Sequence, residues 1–216
     1  TTGYNALGQL GLGDTANRSA FLQISGLANV VEITMNADAR VGTSAARTSA
    51  GNVYVWGFNA SGCCGTGNTT DQLSPQMPSG TFQGAATGLR VSGGGTGSIN
   101  GVHILTATEI WAAGYSGNGN LGVGSSASVN NTFSKVLGHS GTIVDVANVG
   151  TGSAWGLSVI TSDGRATVCG DNASGQLGLG TGTLDATTLH DVLTLTPLAA
   201  AGVPGATGPA GATGPA

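Results

Sequence analysis

Short runs rich in β-branched and aromatic residues recur along the chain, separated by stretches of Gly, Ser, Thr and Asn. Three of these runs end at a glycine: NVYVWG at Gly57, TEIWAAG at Gly114 and RATVCG at Gly170. Three more lie further upstream, over residues 29–35, 88–94 and 141–150. Runs of this length and composition are typical of β-strands. The pattern predicts strands at all six places, with hairpin turns at Gly51-Asn52 and Asp163-Gly164.

A glycine-rich motif opens the chain and then follows each of the three strand-final glycines. The copies are GYNALGQLGLGD from Gly3, GFNASGCCGTG from Gly57, GYSGNGNLGVG from Gly114 and GDNASGQLGLGT from Gly170. The first glycines stand at 3, 57, 114 and 170, so the intervals are 54, 57 and 56 residues. Four glycines keep the same spacing in every copy: Gly3, Gly8, Gly11, Gly13; Gly57, Gly62, Gly65, Gly67; Gly114, Gly119, Gly122, Gly124; Gly170, Gly175, Gly178, Gly180. A period near 50 residues is typical of propeller blades or solenoid repeats.

The residue types in the motif favour a tight, folded-back connection. Glycine adopts positive φ without steric cost, and an asparagine at the third position can close a turn with its own backbone. That asparagine is Asn5, Asn59 or Asn172, and the third copy has Ser116 instead. We expect each first glycine to begin a sharp connection between blades, with several glycines at positive φ and the following leucine as an apolar anchor.

Each repeat therefore predicts about four short antiparallel strands, which is one propeller blade, and the fold class is an all-β, propeller-like array. The pattern G-x-N-x-x-G-Q-L-G-x-G, followed by a Y-x-W-G strand, resembles the regulator of chromosome condensation (RCC1) repeat. Residues 3–57 carry the closest resemblance, which extends over roughly residues 1–195. It implies a propeller fold, seven-bladed in the family, whose best-known members promote nucleotide exchange on a small GTPase. The blade-face residues for such exchange cannot be located by motif.

The end of the chain has a different composition. Glycines at 202, 205, 208, 211 and 214 keep a strict period of three with prolines between them. This is the pattern of a collagen triple helix, and the alternative is a flexible Gly/Pro/Ala linker. The predicted domains are a propeller-like repeat domain over residues 1–198 and a collagen-like segment over 199–216. A collagen-like stem would make the protein a homotrimer.

The charged residues limit which partners are predicted, and the cysteines limit which sites are predicted. Charged residues make up 7% of the chain, the net charge is −4, and the five arginines and Lys135 are scattered. Nucleic acid binding needs clustered cations, so no nucleic acid partner is predicted. Nor is a membrane partner, because no apolar run approaches the roughly 20 residues of a membrane span. The adjacent Cys63 and Cys64 are predicted to be buried thiols rather than a disulfide or a metal site.

No constellation of side chains predicts a reaction. His103, His139 and His190 are isolated from metal-ligand partners, and the glycine motif lacks the G-K-[ST] ending of a phosphate loop. Trp56 and Trp111 are expected to pack in the core rather than form a sugar platform. Glycosylation sequons occur at Asn17, Asn59, Asn68, Asn130 and Asn172. The sequence predicts no catalytic, cofactor-binding or metal-binding residues, no cofactor and no enzyme.

Two functions fit this architecture. The first is a structural, adhesive component of an extracellular or virion fibre, similar to phage tail or head fibres, located outside the cell or on the virion surface. Its partners would be copies of itself, neighbouring subunits of the appendage and a host-surface receptor or glycan. The alternative is a soluble RCC1-like protein-interaction module of the exchange-factor type. Because the fourth motif lacks a completing hairpin, exposed strand edges are expected to be covered by other chains.

Overall fold

The computed structural model describes residues 1–36, 42–80, 82, 84–93, 100–151, 154–179 and 185–194. The strands in these ranges are β1 (Val30–Met35), β2 (Thr43–Thr48), β3 (Val53–Gly57), β4 (Gln72–Gln76), β5 (Gly88–Gly93), β6 (Asn100–Leu105), β7 (Ile110–Gly114), β8 (Asn130–Lys135), β9 (Ile143–Thr151), β10 (Ala154–Thr161), β11 (Arg165–Gly170) and β12 (Ala186–Thr194). All six strands predicted from the sequence are present. The collagen-like segment predicted over 199–216 lies outside the described residues.

The strands form three four-stranded antiparallel sheets, each in simple chain order. The first sheet is β1-β2-β3-β4, the second is β5-β6-β7-β8, and the third is β9-β10-β11-β12. Gly51 and Gly164 have φ values of 81° and 82° in the hairpin turns that join β2 to β3 and β10 to β11. The predicted turns are confirmed, and so is an all-β fold built from blade-like sheets.

The first strand of each sheet lies at a shared inner edge. β1 contacts β5, and β5 contacts β9, while β4, β8 and β12 form the outer edges of their sheets. The three sheets therefore radiate from a common axis, as propeller blades do. We call β1, β5 and β9 the inner strands.

Two apolar clusters hold neighbouring sheets together. The first lies between the first and second sheets and includes Val53, Val55, Val102 and Ile104. The second lies between the second and third sheets, and Trp155 is its largest buried side chain. Adjacent residues of a strand face opposite sides of its sheet, so the second sheet contributes to both clusters.

The sequence predicted that the glycine motifs connect one blade to the next, and this prediction is wrong. Gly57 ends β3, and the motif that follows leads to β4 of the same sheet, where Gly57 pairs with Gln72. The third and fourth motifs connect β7 to β8 and β11 to β12 in the same way. In each sheet, the first three strands lie before a motif in the chain and the outer strand lies after it. A sheet therefore combines strands from two neighbouring sequence repeats.

The motif loops nevertheless join sheets through packing. In the first three motifs, the last of the four regularly spaced glycines donates its N–H to the outer strand of the next sheet along the chain. Gly13 donates to the Leu73 carbonyl at 2.9 Å, Gly67 to Asn131 at 2.8 Å and Gly124 to Thr187 at 2.8 Å. These hydrogen bonds join each of these motif loops to the outer strand of the sheet that follows it.

Backbone geometry within the motifs confirms the predicted role of glycine. Every described glycine at the four shared motif positions has positive φ, from 65° at Gly65 to 122° at Gly114. The motif asparagines accept hydrogen bonds from the backbone N–H five residues later: Asn5 from Leu10, Asn59 from Cys64 and Asn172 from Leu177. The predicted apolar anchors Leu10 and Leu177 are buried.

Candidate functional site

An open pocket of about 500 Å³ lies at one end of the inner strands and is lined by all three sheets. Glu32 and Val31 come from β1, Arg47 from β2, Arg90 from β5, and Val144 with Asp145 from β9. The rest of its wall is formed by residues beside the start of β5, at the β6–β7 turn and at the start of β9: Thr87, Gly88, Leu105, Thr106, Ala107, Thr142 and Ile143. We call it the axial pocket.

Four charged side chains form a chain of alternating sign across the axial pocket. Arg47 Nε lies 2.8 Å from Glu32 Oε2, and Arg90 lies 3.6 Å from Glu32 Oε1. Arg90 also lies 3.5 Å from Asp145 Oδ1. The order Arg47–Glu32–Arg90–Asp145 runs through all three sheets, so these ion pairs link the blades as well as lining the pocket.

The middle carboxylate of this charge chain has several partners, and the carboxylate at its end has fewer. Glu32 Oε1 accepts the Leu89 N–H at 3.2 Å in addition to its arginine contacts. Asp145 Oδ1 accepts the Val146 N–H at 2.8 Å, whereas no hydrogen-bond donor among the described residues reaches Asp145 Oδ2. The Asp145 side chain is 61% exposed, against 24% for Glu32, so it is the accessible charge of the pocket.

Two exposed valines stand beside these charges. Val31 is 55% exposed and Val144 is 64% exposed, and both line the axial pocket. Ile33 and Met35 continue the exposed apolar face along β1. Exposed apolar side chains rimmed by polar ones mark protein-interaction surfaces.

The axial pocket was not predicted from the sequence. Its arginines look scattered because Arg47 and Arg90 stand more than forty residues apart. Both side chains nevertheless contact Glu32. One feature of the sequence could have indicated the pocket. Each predicted inner strand contains a charged residue, at Glu32, Arg90 and Asp145, and the blade period relates these three strands to one another. Sheets that radiate from one axis bring such positions together.

The histidines take the places of ordinary structural residues. His103 is fully buried, with its ring at the edge of the Trp155 ring and the two centroids 6.1 Å apart. Burial lowers the pKa of the His103 imidazole to about 4. His139 Nε2 lies 3.2 Å from the Thr108 carbonyl oxygen, and His190 is exposed on β12.

All three cysteines are buried free thiols, as predicted for Cys63 and Cys64. Cys63 Sγ donates to the Phe58 carbonyl at 3.1 Å. The neighbouring Cys63 and burial raise the pKa of Cys64 well above its usual value, and burial raises that of Cys169 to about 12. Protonated thiols are poor nucleophiles and poor metal ligands.

The tryptophans serve the packing of the sheets. Trp56 is 3% exposed and donates its Nε1–H to the Gln9 carbonyl at 3.0 Å. Trp111 packs beside the first apolar cluster and donates to Glu109 at 3.1 Å. Core packing is confirmed for both.

Two of the five sequons cannot carry a glycan in the folded chain. The side chains of Asn59 and Asn172 are fully buried inside their motif loops. Asn17 and Asn68 are exposed, and Asn130 is partly buried.

Within the described ranges, no group of three or more His, Cys, Asp and Glu side chains could hold a metal ion. The same ranges contain no helix with the length and apolarity that a membrane crossing requires. The predictions of no cofactor, no metal and no enzymatic activity stay predictions.

Residues 50–98 match the family described as the regulator of chromosome condensation (RCC1) repeat. The Ultraviolet-B receptor UVR8 of Arabidopsis thaliana is 31% identical over 166 residues, which cover 72% of this chain and 35% of the receptor. The X-linked retinitis pigmentosa GTPase regulator of Canis lupus familiaris is 43% identical over 75 residues, covering 35% of this chain and 7% of the regulator.

Two solved structures share the fold at low sequence identity. Prp20p from Saccharomyces cerevisiae, described with its binding properties to Gsp1p and histones, is 16% identical with a TM-score of 0.60. The match covers 78% of this chain and 39% of Prp20p. Yeast RCC1 (Prp20) bound to Kap60 is also 16% identical, with a TM-score of 0.65 over 86% of this chain and 42% of the other.

The sheets and these similarities define the class: an all-β repeat protein with propeller-like blades. The match of residues 50–98 to the RCC1 repeat agrees with the motif resemblance. The chain spans about a third of the length of the plant receptor it resembles, and a much smaller share of the GTPase regulator.

The prediction of a virion or extracellular fibre with a collagen-like stem is wrong. The similar proteins are a light receptor, a GTPase regulator and a protein that binds histones, and GTPases and histones act inside cells. An extracellular or virion-surface location is therefore wrong as well. The predicted homotrimer and host-surface receptor or glycan are overturned by the solved relatives, which engage other proteins: Gsp1p, histones and Kap60.

Proposed function

We propose that the chain is a non-enzymatic, RCC1-like protein-interaction module whose partner contacts the axial pocket. The observation that carries this proposal is the exposed apolar pair Val31 and Val144 beside an ion-pair chain drawn from three sheets. The unit that binds would be the repeat region over residues 1–198.

The geometry of the axial pocket supports binding of a protein segment. Its charged side chains are held in place, because Arg90 Nε donates to the Val146 carbonyl at 2.8 Å and Arg47 is anchored on Glu32. Preorganised side chains lose little conformational entropy when a partner binds. The exposed valines supply apolar area, which contributes about 25 cal/mol per Å² when it is buried.

The relatives supply the class of partner. Prp20p binds Gsp1p and histones, and yeast RCC1 is bound by Kap60, so proteins are the partners of the solved neighbours. The proposal carries over only this class, protein, and not those individual partners. It also leaves nucleotide exchange aside, since no residue of this chain is assigned to that activity.

Site-specific photo-cross-linking tests the proposal in cells that naturally produce the protein. A benzoylphenylalanine replaces Val144 at the axial pocket, and in a matched variant it replaces Val192, which is 40% exposed on the outer strand of the same sheet. We expect a discrete protein adduct from position 144 and at least about fivefold less from position 192, because only the first lies in the proposed interface.

A second substitution separates specific from adventitious capture. In the chain with the cross-linker at 144, Val31→Arg places a cation and a long side chain in the apolar part of the pocket and should abolish the adduct. Equal adducts at 144 and 192, or an adduct that survives Val31→Arg, would show that the axial pocket is not the interface.

A further inference from the structure

We infer that the axial pocket accepts a basic side chain, arginine or lysine, from the partner, with Asp145 as its counter-ion. This inference rests on the proposed function and specifies the chemistry of the partner. It follows from which charges of the pocket are already engaged and which one is open.

Both arginines of the pocket donate hydrogen bonds to acceptors within the protein. Arg90 Nε donates to the Val146 carbonyl and Arg90 Nη1 to the Leu89 carbonyl, both at 2.8 Å, and its Nη2 contacts Asp145. Arg47 donates to Glu32 at 2.8 Å and contacts the Ala86 carbonyl at 3.4 Å. Each arginine is therefore already paired with a carboxylate of the protein, Arg47 with Glu32 and Arg90 with Glu32 and Asp145, so the pocket does not favour an anion.

The two carboxylates of the pocket differ in how many partners they have. Glu32 is held by Arg47, Arg90 and the Leu89 N–H. Asp145 has one long contact to Arg90, and its Oδ2 has no donor among the described residues. A cation bound at Asp145 Oδ2 would extend the alternating sequence of charges without breaking a contact. The net charge of the chain, −4, also favours approach of a basic partner.

The surroundings of Asp145 suit a long basic side chain rather than a bare metal ion. Val144 and Val31 are exposed and would contact the methylene groups of arginine or lysine, which commonly pack along apolar surface. The pocket volume of about 500 Å³ accommodates such a side chain. A metal ion would need several oxygen ligands, and Asp145 is the single open carboxylate here.

Backbone-amide NMR of the isotopically labelled chain tests the inference with a defined probe. The probe is the capped peptide acetyl-Gly-Arg-Gly-amide, and the control peptide carries citrulline, which is nearly isosteric and neutral. We expect the arginine peptide to shift the Val144, Asp145 and Val31 resonances, with a dissociation constant of about 1–10 mM from one exposed ion pair together with methylene contacts to the valines. The citrulline peptide should leave them unchanged.

Two matched variants locate the cation. Asp145→Asn removes the charge but keeps an oxygen for the Val146 N–H, and it should weaken the arginine peptide by about fivefold. Asp191→Asn is the control, because Asp191 is 55% exposed on the same sheet and contacts Arg165. It should leave binding at the axial pocket unchanged.

The inference is overturned if the citrulline peptide shifts the same resonances equally, if Asp145→Asn binds as the unmodified chain does, or if a glutamate peptide binds more tightly than arginine. These outcomes are distinct from failure of the proposed function. Loss of the position-144 adduct on Val31→Arg with no arginine-peptide response would keep the interface and reject the basic side chain. An arginine response without a specific adduct would reject the interface.

Discussion

Gly119 and Gly175 occupy the same position in the third and fourth motifs, and their φ values are 73° and 74°. Their surroundings differ. A Cβ at Gly119 would lie 2.6 Å from the Ala186 carbonyl oxygen and 2.7 Å from Thr187 Cα, whereas a Cβ at Gly175 would meet nothing within 4 Å. The pair separates two requirements for glycine: a left-handed backbone at both sites, and close approach of the next sheet at Gly119 alone.

Alanine at each site should therefore have unequal cost. We expect Gly175→Ala to lower the free energy of unfolding by about 1 kcal/mol, the cost of left-handed backbone for an L-residue. Gly119→Ala should lower it by about 2–4 kcal/mol, because the loop must also move away from β12. Urea denaturation measures both values. Equal losses would mean that the contact between motif and outer strand does not stabilise the fold.

The thiols provide a second test at the scale of single residues. Cys64 and Cys169 have raised pKa values and are inaccessible, and Cys63 is fully buried. A thiol-disulfide reagent should leave all three cysteines unmodified for many minutes at pH 8 in the folded chain, and modify all three after unfolding in guanidinium. Rapid labelling of even one thiol in the folded chain would contradict the packing described here.

At this scale the sequence predicted what depends on local backbone. Positive φ at the motif glycines and the turn-closing role of Asn5, Asn59 and Asn172 follow from residue type and spacing. The charge chain could not be predicted in this way. The two contacts of Arg90, with Glu32 and Asp145, join residues separated by 55 positions or more and depend on the angle between sheets.

Among the elements, the contact between the second and third sheets contains an uncommon buried group. His103 on β6 lies opposite Arg90 and Ala112 in the register of its sheet and faces Trp155 of the third sheet. Neither imidazole nitrogen makes a hydrogen bond of good geometry with a described residue. Burial of the ring in this contact lowers the pKa of the His103 imidazole.

This arrangement predicts acid sensitivity with a defined sign. The pKa of His103 is about 4 in the folded chain and about 6.5 when unfolded, so the unfolded state binds the extra proton between these values. Stability therefore falls as the pH falls through this range. The loss from this group between pH 7 and pH 5 should be about 2 kcal/mol, measured by urea denaturation at both values.

Substitution assigns that loss to His103. His103→Gln should remove most of the difference between pH 7 and pH 5, although its overall stability will also change. His190→Gln replaces an exposed histidine on β12 and should retain the full difference. If both variants keep the same pH dependence as the unmodified chain, His103 is not the group that titrates.

The sequence predicted the strands better than it predicted their grouping. Runs such as RATVCG carry their own signal, and β11 spans that stretch. Sheet boundaries carry no such local signal, because a motif loop can return to its own sheet or continue to the next. The hydrogen bonds of β4, β8 and β12 decide between these routes, and they join strands across the motif.

For the whole molecule, the position of a sheet decides how much of it is covered. The second sheet contributes Val102 and Ile104 to one apolar cluster and Ile110 and Ala112 to the other. The third sheet takes part in the second cluster, and on its far side Ile160 is 38% exposed. Two covered faces give the middle sheet more apolar burial than the third sheet receives, and apolar burial is the main favourable term in folding.

Hydrogen exchange should therefore rank the central strands of the sheets. All six residues of β6 are buried, and β6 is paired on both sides, to β5 and β7. We expect its amides to exchange at least about tenfold more slowly than those of β10, which is also paired on both sides but belongs to the less covered third sheet. The matched pairing of β6 and β10 makes burial the variable that differs. If β10 exchanges as slowly as β6, the sheets open together as one cooperative unit, and stability is not graded from the middle sheet outwards.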